Sequence, residues 1–131
     1  MLFRSHGQPV FKSSAEKFEG GGLPFPVLYG MEASLDLISQ LGMQTIEDRV
    51  LQLASRAREM MRTLGAEAID NGSQVASARF STADPSRLAR ELKARRVIVA
   101  ARHGYLRVSP HFYNNQEDLD TFARELKQVL S

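Results

Sequence analysis

Arg107 sits in the run Gly104-Tyr105-Leu106-Arg107-Val108-Ser109-Pro110-His111-Phe112-Tyr113-Asn114, and an acidic helix start, Gln116-Glu117-Asp118, follows almost directly. Residues 105–109 read as a strand, whose side chains alternate between two faces. Leu106 and Val108 then point into a core, while Tyr105, Arg107 and Ser109 point the other way. A guanidinium on the non-core face of a short apolar strand offers a planar fork of donors to a carboxylate. The same pattern suits a surface arginine paired with a helix carboxylate such as Glu117 or Asp118, and the period alone favours that plainer arrangement. His111 and Tyr113, just past the strand, fit local turn hydrogen bonding, with His111 lining a cleft as the lesser alternative. His103 reads as an exposed turn residue. No two histidines share metal-ligand spacing on one face, so no metal is expected.

The elements that must position Arg107 follow from hydrophobic spacing. Residues 1–26 lack a sustained period and are rich in Ser, Gly and Pro, which predicts an extended or partly disordered arm. Within it, Gly20-Gly21-Gly22 is a permissive hinge, and Pro24 and Pro26 keep the backbone extended. Val27, Met31, Leu35, Ile38 and Leu41 recur at helical spacing up to Gly42, predicting a helix over 27–41. Thr45 is the expected N-cap of a second helix, with Glu47 and Asp48 near its positive end. Its apolar face runs through Ile46, Val50, Leu53, Ala57, Met60 and Leu64, and Gly65 closes it. Met31, Met43, Met60 and Met61 are expected to fill a core.

Asp70-Asn71-Gly72 marks a turn, and residues 74–80 read as the first strand. Asp84-Pro85 caps a helix over 85–95, with Leu88 and Leu92 inward. Residues 97–101 are a short β-branched strand, and Arg102-His103-Gly104 turns it back into 105–109 as a hairpin. Asn115 caps a last helix whose Leu119, Phe122, Leu126 and Val129 form a buried stripe. The third strand fits between the first two, antiparallel to both, and helices cover one face. The expected fold class is α+β: a small antiparallel three-stranded sheet with helices packed on one face. Residues 27–131 make it a single domain after the arm.

Composition narrows the function classes. With 131 residues, 43% hydrophobic and 24% charged, the chain has the profile of one globular domain with a modest core. A net charge of +2 is too weak to imply a nucleic acid or a membrane as partner. The basic helix of Arg87, Arg90, Lys93, Arg95 and Arg96 is broken by Glu91 and lacks interleaved aromatics, so it reads as a solvated face. There is no cysteine, which excludes disulfides and thiol chemistry and fits a cytoplasmic location.

Four blocks carry a resemblance. Lys17-Phe18-Glu19-Gly20-Gly21 is similar to Arg-Phe-Glu-x-Gly, and Gly30-Met31-Glu32-Ala33-Ser34-Leu35 to Gly-x-x-Ala-Ala-Leu. Leu41-Gly42-Met43-Gln44-Thr45-Ile46-Glu47-Asp48-Arg49 is similar to Ile-Gly-x-x-x-Ile-x-x-Arg, and the block from Leu106 to Asn114 is the most specific. In this order and spacing, the chain from Lys17 onward resembles the carboxyl-terminal small domain of class V aminotransferases, pyridoxal-phosphate enzymes of fold type I.

The resemblance implies that Arg107 holds the carboxylate of an amino-acid substrate. It implies a large cofactor-binding domain, or a homo-oligomer partner, against which the small domain closes. Gly21 and Gly22 stand where relatives carry a glycine-threonine pair that reaches the cofactor phosphate across a dimer. The hydroxyl is missing here, but a backbone N–H remains. The family's cofactor lysine precedes the Phe-Glu segment by some tens of residues, so Lys12 and Lys17 are too close to serve. No residue here is then catalytic, pyridoxal 5'-phosphate is not bound covalently, and this chain alone is expected to be inactive. Cysteine desulfurases carry a nucleophilic cysteine between the last two strands, where this chain has a tight turn, so the expected branch is a non-desulfurase one. The expected function is therefore that of a small domain of a class V aminotransferase-like enzyme. The alternative is a stand-alone binding or dimerisation module that kept the fold without the chemistry. Either way, the uncovered sheet face and apolar arm are expected to promote self-association.

Overall fold

In a computed structural model, the described residues are 13–18, 22 and 24–131. The chain divides into two units, Met1–Leu37 and Ile38–Ser131. In the first, a 3-10 turn at Ala15–Phe18 precedes α1 (Phe25–Leu41), whose last residues belong to the second unit. The helix starts at Phe25 rather than at residue 27. Pro26 falls in its first turn, where a missing N–H is no loss, and the N–H groups of Val27 and Leu28 donate to the Pro24 carbonyl.

No described residue of α1 is buried. Val27, Met31, Leu35 and Leu41 of the anticipated stripe are exposed, and so are Phe25, Tyr29 and Leu37 off it. The expectation that Met31 and Met43 fill a core is corrected: they are 54% and 69% exposed. Apolar residues surround this helix on several sides, so its period does not single out one face for burial.

Gly42, at φ 81°, links α1 to α2 (Met43–Thr63) as a single residue. Its N–H closes the end of α1 on the Ile38 carbonyl at 3.0 Å, and its carbonyl accepts the Ile46 N–H at 3.1 Å. Glycine alone adopts that left-handed backbone without a Cβ penalty. Thr45 therefore lies inside the first turn and is not the N-cap, and no side chain caps this end. Val50, Leu53, Ala54, Ala57 and Met61 of α2 are buried. The helix ends in a Schellman motif. The Gly65 N–H donates to the Arg62 carbonyl at 2.9 Å and the Ala66 N–H to the Met61 carbonyl at 3.0 Å, with Gly65 at φ 87°.

The remaining elements are β1 (Glu67–Ala68), β2 (Ala76–Arg79), α3 (Pro85–Ala94), β3 (Ala100–Arg102), β4 (Tyr105–Val108) and α4 (Gln116–Leu130). The strands form one antiparallel sheet in the order β1-β2-β4-β3. The α+β class and the insertion of β4 between β2 and β3 match the sequence reading, but the sheet has four strands and not three. β1 escapes that reading because two residues are too few to display an alternation; its partner β2 defines it. Asp84 caps α3 by accepting the Ser86 and Arg87 N–H groups, and Asn115 and Asp118 form a reciprocal capping box on α4.

One core joins α2, α3, α4 and a single face of the sheet. It includes Leu53, Met61, Ala76, Ala78, Phe80, Leu88, Leu92, Leu106, Phe122 and Leu126. Each fully buried leucine contributes about 1.5–3 kcal/mol relative to exposure. The alanines of β2 supply little apolar area, but their small size leaves room for α2 to lie close to that strand.

Candidate functional site

Arg107 occupies the middle of β4, a strand hydrogen-bonded on both sides. Alternation places Leu106 and Val108 in the core and leaves Tyr105 and Arg107 half-buried on the face away from the helices. Its lateral neighbours are small: Ser77 on β2 and Ala100 on β3 are its Cα partners. Neither neighbour carries a side chain long enough to cover the guanidinium. No hydrogen bond or ion pair holds Arg107 among the described residues. Of the two carboxylates that might have claimed it, Glu117 has no side-chain hydrogen bond or ion pair among the described residues, and Asp118 is engaged elsewhere. Asp118 accepts from the Asn115 N–H at 3.0 Å and from Asn114 Nδ2 at 3.1 Å. These bonds, led by the Asn115 backbone, hold its carboxyl below the usual carboxylate range.

The next row across the same face is more strongly charged. Tyr105 lies opposite Arg102 on β3, and on its other side Arg79 of β2 stacks over its ring at 4.9 Å. Arg79 also donates to the Tyr105 hydroxyl at 3.4 Å. Glu67 of β1 is the Cα partner of Arg79. A shallow depression of about 380 Å³ opens here, lined in part by Ile69, Ser77, Arg102, His103, Tyr105 and Arg107. The turn between β3 and β4 is the pair His103 and Gly104, at φ 51° and 80°, the signature of a type I′ hairpin. His103 is exposed, as its turn position implies.

Two further arginines support this face from behind. Arg58 of α2 is only 4% exposed and donates through Nη2 to the carbonyls of Ser73 and Val75, two residues that line the depression. No carboxylate partners it, and its Nε has no partner among the described residues. Arg49 donates to the Asn114 carbonyl at 3.1 Å, tying α2 to the turn after β4. That turn is closed on itself: the His111 N–H donates to Asn114 Oδ1 and the Asn114 N–H to the His111 carbonyl, both at 2.9 Å. His111 stacks on Tyr113 with ring centroids 4.8 Å apart, and both are exposed. Local turn bonding is thus the role the structure gives His111.

Both supporting arginines carried a signal in the sequence. Arg58 follows Ala57 inside the buried spacing Ala54, Ala57, Met61, where a cation needs a backbone partner. Arg49 lies beside Val50 and four residues before Leu53. A basic residue inside an apolar stripe marks a structural hydrogen bond.

The residues present do not by themselves fit pyridoxal phosphate. Lys17, in the first unit, is exposed, and so are Lys93 on α3 and Lys127 on α4, neither of which lines the depression. Lys12 and Gly21 lie outside the described residues. Gly22 belongs to the first unit, in an exposed bend with no atom within 4 Å of where a Cβ would stand. It lines no visible cradle. What the open face does fit is a small anion. Among the described residues, no group of three His, Asp or Glu is placed to hold a metal ion, and no helix is long and apolar enough to cross a membrane.

The family model described as Aminotransferase class-V matches residues 4–122. The uncharacterized aminotransferase YcbU of Bacillus subtilis (strain 168) is 30% identical over 112 residues, covering 84% of this chain and 30% of YcbU. Among solved structures, a NifS-like protein aligns with a TM-score of 0.74 at 19% identity, over 92% of this chain and 38% of its own. A cysteine desulfurase from Thermococcus onnurineus NA1, solved in its apo form, aligns with a TM-score of 0.77 at 23% identity, over 88% and 34%. The two structures share the fold, and the chain spans roughly a third of the length of each of these three proteins. The match over residues 4–122 shows that this chain belongs to the class V aminotransferase family, whose members depend on pyridoxal phosphate.

Proposed function

We propose that this chain acts as the carboxyl-terminal small domain of a pyridoxal-phosphate-dependent class V aminotransferase-like enzyme and holds its amino-acid substrate by the carboxylate through Arg107. One observation carries the reading: Arg107 is half-buried on the face of a central strand opposite the one packed on α2, α3 and α4, between Ser77 and Ala100, with no partner among the described residues. A structural arginine at such a position would be expected to grip a carbonyl, as Arg58 and Arg49 do. Pyridoxal phosphate, held by the rest of such an enzyme, would supply the electron sink for chemistry at the substrate's α-carbon. This chain's part is to bind and orient the carboxylate. The two-residue His103 and Gly104 turn leaves no loop for a nucleophilic cysteine, which supports a non-desulfurase branch. A cytoplasmic dimer, in which a large domain covers the open face, completes the reading.

The test is a steady-state comparison in an enzyme that contains this domain. Arg107→Lys keeps the charge and loses the planar fork, and Arg107→Gln loses both. Both should lower kcat/KM, Arg107→Gln more, with raised KM for the amino acid and unchanged cofactor absorbance. Unchanged kinetics in Arg107→Gln would overturn the assignment.

A further inference from the structure

The open face carries more positive charge than one carboxylate needs. Arg102 and Arg107 both line the depression, beside His103. Arg79, on the far side of Tyr105, is already engaged with its ring and hydroxyl. Arg102 is exposed and, like Arg107, has no hydrogen bond or ion pair among the described residues. In register, Arg102 lies opposite Tyr105 and Arg107 opposite Ala100, so the two arginines are diagonal neighbours with stems about 7–8 Å apart. Acids nearby do not neutralise them. Glu67 is at the other end of the row beside Arg79, and Asp70 is paired with Arg62 at 3.3 Å.

From this juxtaposition we infer that the face recognises a substrate with two anionic groups: an amino acid whose side chain bears a second carboxylate or a phosphate. Arg107 takes the α-carboxylate and Arg102, with His103 at the rim, takes the side-chain anion. The inference rests on the proposed role of Arg107 and adds the substrate class to it. Two guanidinium groups a few methylenes apart suit a short dianion and gain nothing from a neutral side chain.

The experiment is an NMR titration of the arginine Nε–H signals of the 131-residue chain at low salt, with L-alanine, L-glutamate and O-phospho-L-serine as probes. L-glutamate is expected to bind about tenfold more tightly than L-alanine, since one further charge-assisted contact forms. Arg102→Gln should remove that preference, Arg107→Gln should weaken every probe, and Arg90→Gln, a charge change on the exposed face of α3, should alter nothing. Tighter binding of O-phospho-L-serine than of L-glutamate assigns the second group to a phosphate and upholds the inference. Equal affinities for L-alanine and L-glutamate, with Arg107→Gln still weakening both, overturn the two-anion inference and leave the carboxylate role of Arg107 standing. So does a glutamate preference that Arg90→Gln removes as fully as Arg102→Gln. Absence of Arg107-dependent binding by any probe overturns both readings.

Discussion

Leu106 and Arg107 are consecutive residues of one central strand, so substituting each in turn tests the two sheet faces against each other. Leu106 is 0% exposed and packs in the cluster formed by α2, α3, α4 and the sheet. Leu106→Ala deletes three carbons there, and β2 and β4 are locked in register at Ala78 and Leu106, which limits collapse around the void. The expected loss is about 3–5 kcal/mol, the upper part of the usual range, out of a total of about 5–15 kcal/mol for a domain. Arg107→Gln keeps most of the aliphatic stem beside Ser77 and Ala100 and removes a guanidinium that holds nothing among the described residues. The expected change is within about ±0.5 kcal/mol, as at other positions without a partner. Urea unfolding of both variants, followed by far-UV circular dichroism, measures the two losses directly. An Arg107→Gln loss above about 2 kcal/mol would mean that the side chain anchors the fold, and the carboxylate assignment would lose its premise. A Leu106→Ala loss below about 1 kcal/mol would mean that the face assignment itself is wrong.

Arg58→Met should cost about 1–3 kcal/mol in the same assay, because the carbonyls of Ser73 and Val75 lose a buried donor; amide shifts confined to residues 71–75 would locate the effect, and a neutral result would refute it. Arg96 closes α3 in a second Schellman motif at φ 65°, its N–H on the Lys93 carbonyl and that of Val97 on the Leu92 carbonyl. Arg96→Gly should therefore stabilise the domain by up to about 1 kcal/mol, and Arg96→Val should destabilise it; thermal melts decide the sign. Asp118 has a folded-state value below its ordinary 3.8, so its capping contribution is present above that value and lost as pH falls through the lower, folded one. Melts between neutral and strongly acidic pH should show a loss in the parent chain that Asp118→Asn reduces. A parallel pH profile in the variant would count against the capping box as its source.

Elements whose burial is one-sided were legible in the sequence. Leu119, Phe122, Leu126 and Val129 mark α4 because only one of its faces meets the core, and all four are buried. Leu88 and Leu92 do the same for α3. The two caps there, Asp84 and Asn115, were readable because a short polar side chain bonds backbone a few residues away. The start of α2 was not, for a related reason. A Thr followed by acids is a local signal for a cap, but Gly42 redirects the backbone three residues earlier and makes the side chain unnecessary. α1 misled in the opposite sense, since its heptad-like stripe is embedded in other apolar residues and none of them is buried.

The functional face divides along the same physical line. Which residues of β4 point away from the core is a period-two property of one strand, so Arg107 could be singled out from its own neighbours in sequence. What stands beside Arg107 is a property of register, which pairs it with Ser77, thirty positions away, and is fixed only once β4 has been placed between β2 and β3. A slip of one residue on β3 would turn Arg102 to the helix side and bring Ala101 to the open face. The proximity of Arg102 to Arg107 therefore depends on the His103 and Gly104 turn, whose two positive φ values fix Arg102 opposite Tyr105. In this fold the hairpin turn does more than reverse the chain: it sets which second cation a substrate meets.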